Sequence, residues 1–593
     1  MKLNIKRTML VGFAFFLICT FWQAYDTVIP KILTDRFGMS QAWSGIIMAL
    51  DNILALFMLP LFGSLSDKCK SKHGKRTPFI LFGTIAAVTA FMLLTVADAT
   101  QLKKIESVTT IDDPTNLAVI YDSLASEKIV TPDGDRVSLG ERYTKDEFSS
   151  IKSVIYESDI KAKKLVASKY DGTGLYTIES RYKIRIVTYD GEIFWIRDRE
   201  TETDTRINET ITVDGKDISL AAVFSGEKNA AVPAFSEKTN SVYTNYVVPA
   251  RQQYIGEITK ANPSSLIWFM IILMVVLVSM STFRSPAVAL MPDVTVKPLR
   301  SKANAVINLM GTVGGMSVLV LGMGFAFANS AIKNTFRPWV GFFAVIAGIM
   351  LAALAIFMLT VKETRWADEM VKASEVLDTE EEEKIGGNSK LTGAEFFSLV
   401  FILLSVALWY FGYNAVTSKY SVYATNILDL DYSTTLLIAN AAAVISYLPV
   451  GIIASKVGRK KTILAGIVML AASFTVACFL RVGAPGIIMN IMFALAGIGW
   501  ATINVNSFPM VVELSKNGDI GKFTGYYYAA SMAAQALTPF FSGLLMDRFG
   551  MTVLFPYAAV FVSLAFVTML FVKHGDSKPV PKKSALEAFD VDD

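Results

Sequence analysis

Charged residues stand inside stretches that are otherwise apolar: Asp26 in FWQAYD, Asp51 in IIMALDNILALF, Arg284 in STFRSPAV and Lys419 in NAVTSKYSV. A charge placed in hydrocarbon costs at least ~2.5 kcal/mol on insertion scales, so each is a candidate for binding, proton transfer or pairing with another charge. Asp51 lies about nine residues into its apolar run, or ~13 Å deep, close to the middle of a bilayer. A carboxyl withdrawn from water can load and release a proton near neutral pH. The structural alternative is a carboxyl capped by its neighbour Asn52 or by another helix. The guanidinium fork of Arg284 suits an acid partner or a set of hydroxyls, and its structural alternative is pairing with Asp293 or with another helix.

A second group is neutral. Trp22, Gln23, Tyr25, Asn308, Asn414, Trp500, Asn504 and Gln535 supply hydrogen bonders and aromatic faces within apolar runs. Each taken alone is as well explained by helix packing. Taken together, so many amides and rings with so few charges fit an uncharged polar solute such as a sugar better than an organic ion. The cysteines Cys19, Cys69 and Cys478 have no metal-ligand spacing, so no metal site and no cofactor are expected.

These residues need elements to hold them. Of 593 residues 53% are hydrophobic and 18% charged, and the mean hydropathy is +0.44. That places the chain in a lipid bilayer rather than in water. About twelve apolar runs of ~20 residues recur, each long enough to cross ~30 Å of hydrocarbon as a helix. The first is too long for a signal peptide and lacks a cleavage site after it, so it is expected to stay. Lys and Arg collect in alternate loops, as in Lys68–Arg76, Lys297–Lys302 and Lys456–Lys461. This bias predicts a multi-pass protein of the cytoplasmic membrane with both termini inside. Nothing in it calls for nucleic acid, and a monomer is expected.

The expected architecture is all-α: twelve transmembrane helices in two pseudo-repeated six-helix halves. Residues 1–98 hold helices 1–3, 263–361 helices 4–6 and 395–573 helices 7–12, with a cytoplasmic linker at 362–394 and a cytoplasmic tail at 574–593. Between helices 3 and 4, residues 99–262 read as a folded β-rich extracytoplasmic insertion. There, Arg181–Tyr189 and Glu192–Arg197 flank Asp190-Gly191, and Thr210–Val213 and Asp217–Leu220 flank Asp214-Gly215, as in hairpins. The insertion holds no cysteine, no histidine and no nucleophile–base pair, so an enzyme is not expected.

The halves echo each other. GSLSDKCKSKHGKR has a partner in GIIASKVGRKKT, and PAVALMPDVTVKPLRSKAN has one in PMVVELSKNGDIGKFTG. Internal duplication of this kind marks many secondary transporters, with the substrate site near the midplane between repeats. Each half therefore sets basic loops (Lys75 and Arg76, with Arg300 further on; Arg459 and Lys460) against acids at helix ends (Asp67 and Asp293; Glu513). Such charges are expected to gate the inner mouth, meeting when it is closed and parting when it opens.

Gly63, Asp67, Gly74, Lys75 and Arg76 resemble the inward loop motif of the major facilitator superfamily. The longer SDKCKSKHGKRTPFI is similar to a stretch of plant sucrose carriers and of their relatives among glycoside–cation symporters. RSPAVALMPD, GWATINVNSFPMVVEL and FTGYYYAASMAAQALTPFFSGLL also resemble bacterial members of that group. The resemblance covers the apolar runs but not residues 100–262. It implies a carrier that imports a di- or oligosaccharide glycoside by alternating access. An exporter of the same fold, or a sensor that keeps the fold without flux, is the alternative. In the superfamily the first and seventh helices line the cavity. Overlaying Ser40 on Ser433 sets Asp26 opposite Lys419, so a bridge between halves is expected there unless each snorkels separately. Sodium-coupled melibiose-type carriers have paired acids where this chain has Ala55 and Leu59, which makes H+ the expected coupling ion.

Overall fold

In a bilayer every backbone polar group must be satisfied within the chain, which makes long apolar runs helical. The computed structural model describes residues 4–159, 165–170, 175–180, 185–189, 192–196, 206–213, 216–224, 234–296, 300–325, 335–378, 391–481, 484–514 and 520–575. Among them, eleven helices are long and apolar enough to cross a membrane.

The first-half helices are α1 (Ile5–Lys31), α2 (Gln41–Asp67), α3 (Thr77–Lys104), α9 (Ser264–Val294), α10 (Arg300–Phe325) and α11 (Val340–Thr360). After α12 (Glu363–Asp378) come α13 (Gly393–Tyr423), α14 (Tyr432–Val457), α15 (Arg459–Ala477), α16 (Gly486–Val512), α17 (Ile520–Phe549) and α18 (Leu554–Leu570). Polar caps set several starts. Ser40 accepts from the Trp43 N–H, and Thr392 and Glu395 form a reciprocal capping box. The duplication shows in detail. Both α1 and α13 end in a five-residue π turn, Ile32–Arg36 and Ala424–Leu428. Both basic loops turn on a glycine of positive φ, Gly74 (+114°) and Gly458 (+102°).

Apolar burial is divided between the repeats. One core runs from Val11 to Trp366 and a second from Leu399 to Val572. The halves meet where α2 packs on α17 and α10 on α14.

Residues 99–262 do not behave as one body. Helix α3 runs on to Lys104, and α4 (Pro114–Leu124), the hairpin β1 (Lys128–Val130) and β2 (Arg136–Ser138), α5 (Leu139–Arg142), α6 (Lys145–Ser149) and α8 (Val248–Ala261) follow. These pieces share a third core that includes Ile105, Leu117, Ile120, Phe148, Tyr243 and Ile255. They form a cap that belongs to the same compact unit as the long helices, whereas residues 152–240 form a separate unit. The sequence boundaries at 99 and 262 miss this division because α4 and α8 carry enough polar residues to look like loop. We call the end of the bundle that bears the cap the cap end, and the opposite end the basic end.

In the separate unit, β3 (Val154–Asp159) pairs with β10 (Ala234–Thr239). β4 (Leu165–Tyr170), β5 (Leu175–Ser180), β6 (Arg185–Tyr189) and β7 (Glu192–Trp195) form an antiparallel meander. β8 (Thr210–Val213) pairs with β9 (Lys216–Ser219), and the short helix α7 (Leu220–Phe224) follows it. Across the two expected turns Tyr189 faces Glu192 and Val213 faces Lys216. Val154 and Thr239 are also register partners, and the Asn240 N–H donates to the Ser153 carbonyl at 2.9 Å. Neighbouring antiparallel strands bring such partners within about 5.5 Å. Replacing residues 155–238 by a Gly-Ser-Gly bridge should therefore leave membrane insertion, monodispersity and thermal midpoint unchanged. Loss of monodisperse protein on size exclusion would refute the separateness of this unit. Cutting from Gln101 to Lys260 instead would remove the third core and expose the helices beneath it.

Candidate functional site

Polar residues from both halves converge on a cavity of about 190 Å³ lined by Trp22 and Asp26 of α1, Asp51 and Asn52 of α2, and Arg284 of α9. The second half contributes Asn414, Thr417 and Ser418 of α13, and Gln535 and Pro539 of α17. Helical spacing explains the grouping: Trp22 and Asp26, Asn414 and Ser418, and Gln535 and Pro539 are each four residues apart, on one face. The Arg284 guanidinium carbon lies 5.3 Å from the centre of the Trp22 ring, a cation–π contact. Asn52 donates to the Asp51 carboxylate at 2.9 Å, which is the cap considered from the sequence. Asp26 lies open to the cavity. Trp22 Nε1 and Asn414 Nδ2 are buried without a hydrogen-bond partner, two donors for which an acceptor is wanting.

Six sequence candidates fall elsewhere. Tyr25 is fully buried in the first core, stacked on Phe21. Gln23 sits beside Gly315 of α10. Asn308 and Asn504 are half-buried outside the cavity lining. Trp500 gives one face to Tyr413, stacked with centroids 3.7 Å apart.

The sixth, Lys419, corrects an expectation. It does not pair with Asp26. It is fully buried, and its Nζ donates to the Gln41 carbonyl at 2.7 Å. One residue beyond Ser418, it is rotated off the cavity face by the 100° helical step.

The Lys419 contact is part of a seam between the halves. The Asp547 carboxylate accepts from the backbone N–H groups of Gln41 and Ala42, at 2.6 and 2.7 Å, at the N-terminus of α2. Lys31 Nζ donates to Thr425 Oγ1 at 2.8 Å. A Cβ on Gly543 would collide with the Gln41 carbonyl, and one on Gly45 with the Pro539 carbonyl, so the two helices meet backbone to backbone. All these contacts lie at the cap end. Asp547 escapes the sequence reading because its partners are backbone groups about five hundred positions away.

Family models match on both sides of this seam. Residues 10–106 match the model described as MFS/sugar transport protein, and residues 433–590 the model of the Major Facilitator Superfamily. A stretch of each half of the chain thus matches a major facilitator superfamily model. A sucrose transport protein of Arabidopsis thaliana is 39% identical over 60 residues, 10% of this chain and 12% of that protein. A protein of Escherichia coli named for glycoside/cation symport is 35% identical over 64 residues, 11% of this chain and 14% of that one. The chain thus matches only about an eighth of the length of these curated relatives. The xylose transporter of Escherichia coli in an inward-open conformation is similar at 13% identity, with 99% of each chain covered and a TM-score of 0.49. These relatives are transporters and not enzymes.

The superfamily loop at the basic end forms a network inside the first half. Arg76 donates to Asp293 at 2.8 Å, to Asp67 at 2.5 Å and to Ser66 Oγ. Burial disfavours its charge, but the bonds and charges of Asp293 and Asp67 outweigh that and hold its pKa above the ordinary value. Glu363 caps α3, accepting from the N–H groups of Arg76 and Thr77 and from Thr77 Oγ1. In the second half Arg459 bonds Glu513 at 2.5 Å and Lys460 bonds the Leu570 and Val572 carbonyls. Lys75 is exposed, and the side chain of Arg300 lies outside the described residues. The expectation that these charges meet only when the inner mouth closes is corrected: each of these pairs joins helices of the same half, so it needs no contact between halves.

Proposed function

We propose that this chain is a proton-coupled importer of a neutral saccharide, a di- or oligosaccharide glycoside, working by alternating access as a monomer of the cytoplasmic membrane. In this reading α14 (Tyr432–Val457, 26 residues) is the twelfth span, the cap end faces outward and both termini are cytoplasmic. The observation that carries the reading is the cavity between the halves. There one guanidinium over a tryptophan ring, two carboxyls and the Asn414 and Gln535 amides converge, while the cap-end seam is closed. Amides and an aromatic face suit sugar hydroxyls and C–H surface. The carboxyls supply a proton carrier at the point where substrate sits. Matches to a model named for sugar transport and to a sucrose transport protein support the substrate class.

The closed seam corresponds to an inward-facing state. The Arg76 and Arg459 networks then serve to hold the inner helix ends of each half together, so that each half rocks as one body. Asp67, Asp293, Lys460 and Glu513 act in that way rather than as a direct latch.

The test is uptake of labelled sucrose, maltose, melibiose and raffinose into proteoliposomes under imposed proton or sodium gradients. Accumulation of at least one, driven by an inward proton gradient and not by sodium, is expected. Failure of all four to accumulate under either gradient would overturn the transport reading.

A further inference from the structure

A second cavity, of about 280 Å³, lies on the outer side of the closed seam, and the central site does not use it. The first half contributes Ser40 and Gln41, the second half Asn426, Asp547 and Met551, and the cap contributes Thr131 of the β1–β2 tip and Gln252 of α8. We propose that this outer chamber is a second saccharide site, in which the sugar is held between cap and seam before the halves open. The proposal rests on the transport reading for the identity of the solute.

The lining decides the class of ligand. Among the described lining residues only Asp547 is charged, and its two oxygens are already taken by the Gln41 and Ala42 N–H groups. An anion would meet no cation there, and a cation would meet a single carboxylate that already serves two backbone N–H groups at the start of α2. What remains is neutral: the amides of Gln41, Gln252, Gln253 and Asn426, the hydroxyls of Ser40 and Thr131, and the thioethers of Met39, Met546 and Met551. Amides facing thioether and aliphatic surface match a solute with hydroxyl edges and C–H faces. Gln41 is buried to 4% exposure and its Oε1 has no hydrogen-bond partner, so an acceptor stands ready at the chamber floor.

The same residue ties the chamber to transport. The Gln41 backbone is the hinge pin of the seam, bonded by Asp547 on its N–H and by Lys419 on its carbonyl. A sugar in contact with the Gln41 side chain, Asn426 and the cap touches all three bodies that must separate. Opening the seam removes the chamber floor and leaves the central cavity below it accessible, so the chamber fills during the inward-facing half of the cycle.

The experiment uses the full chain with Cys19, Cys69 and Cys478 replaced by serine and a reporter, Val130→Cys, in the chamber wall. Alkylation by a membrane-impermeant maleimide is timed with sucrose, maltose, melibiose or raffinose present, against an osmotically matched betaine control. At least one saccharide is expected to slow alkylation threefold or more. That protection should persist in Arg284→Gln, which disables the central cavity, and should disappear in a monodisperse Gln41→Leu/Gln252→Leu variant. Unchanged alkylation with all four sugars overturns the chamber, as does protection that vanishes with Arg284→Gln or survives Gln41→Leu/Gln252→Leu. The transport reading fails by a different measurement, absence of accumulation in proteoliposomes, so the two failures are distinguishable.

Discussion

Replacing Asp51 by asparagine is expected to abolish uphill accumulation of sugar while leaving exchange of sugar across the membrane intact. One charge crossing 100 mV is worth about 2.3 kcal/mol, so a carrier that moves one proton per sugar can concentrate the sugar roughly fiftyfold on that potential. Without the proton the ratio falls to unity. Two carboxyls, Asp26 and Asp51, face a cavity that holds one guanidinium, Arg284. Counting charges, the site is one proton short of neutrality, and in a medium of low dielectric that imbalance is costly. The substituted amide would restore neutrality permanently, keep an acceptor for the Asn52 side chain and preserve the shape of the wall. Binding and exchange should therefore survive while coupling does not. Counterflow of labelled sugar without a gradient, compared with gradient-driven uptake in the same proteoliposomes, separates the two. Wild-type accumulation in Asp51→Asn would refute the assignment. If Asp26→Asn then loses accumulation, the proton site belongs to Asp26.

The spans and their polar intruders are legible because both rest on local rules. About 20 apolar residues make a membrane helix wherever they occur, and a charge or amide inside one stands out without knowledge of its neighbours. Trp22, Asp26, Asp51, Arg284, Asn414 and Gln535 stand out in this way and share one cavity. Orientation is less legible, because a helical residue turns 100° from the next. Gln23 and Tyr25 lie beside Trp22 in sequence but off its face. Thr417 and Ser418 escape notice, although Asn414-x-x-Thr-Ser is a polar stripe at helical spacing. The inner network is legible as a set of charges but not as a set of bonds. Sequence places Arg76, Asp67 and Asp293 in the same half, whereas only the fold shows that they bond one another there and so tie α2, α3 and α9 together without any contact across the inner mouth. The cap is least legible. Its core is assembled from α4 and α8, about 130 positions apart, and neither is apolar enough to announce itself.

The seam yields the second large effect. Asp547→Asn should shift the resting carrier toward the outward-open state. The native carboxylate accepts two backbone N–H groups at the positive end of α2, whereas an asparagine presents one acceptor oxygen and one donor nitrogen. At least one hydrogen bond to a charged group is lost, worth about 1.5–3 kcal/mol. All of that loss falls on the closed seam, since Gln41 and Asp547 belong to opposite halves, and the Gln41 and Ala42 N–H groups and the Asp547 carboxylate reach water once those halves part. A differential of this size moves a two-state balance by roughly 10- to 150-fold. Gly543→Ala should act in the same direction by a different route, because its methyl group would meet the Gln41 carbonyl and wedge α2 from α17. The readout is alkylation of Thr417→Cys, in the central cavity, by an impermeant maleimide added from the outside or the inside of oriented vesicles. Outside reactivity should rise at least tenfold in both variants relative to the parent, and inside reactivity should fall. An outside-to-inside ratio unchanged in both would mean that the seam does not set the resting state, even though backbone and side-chain bonds join the two halves there.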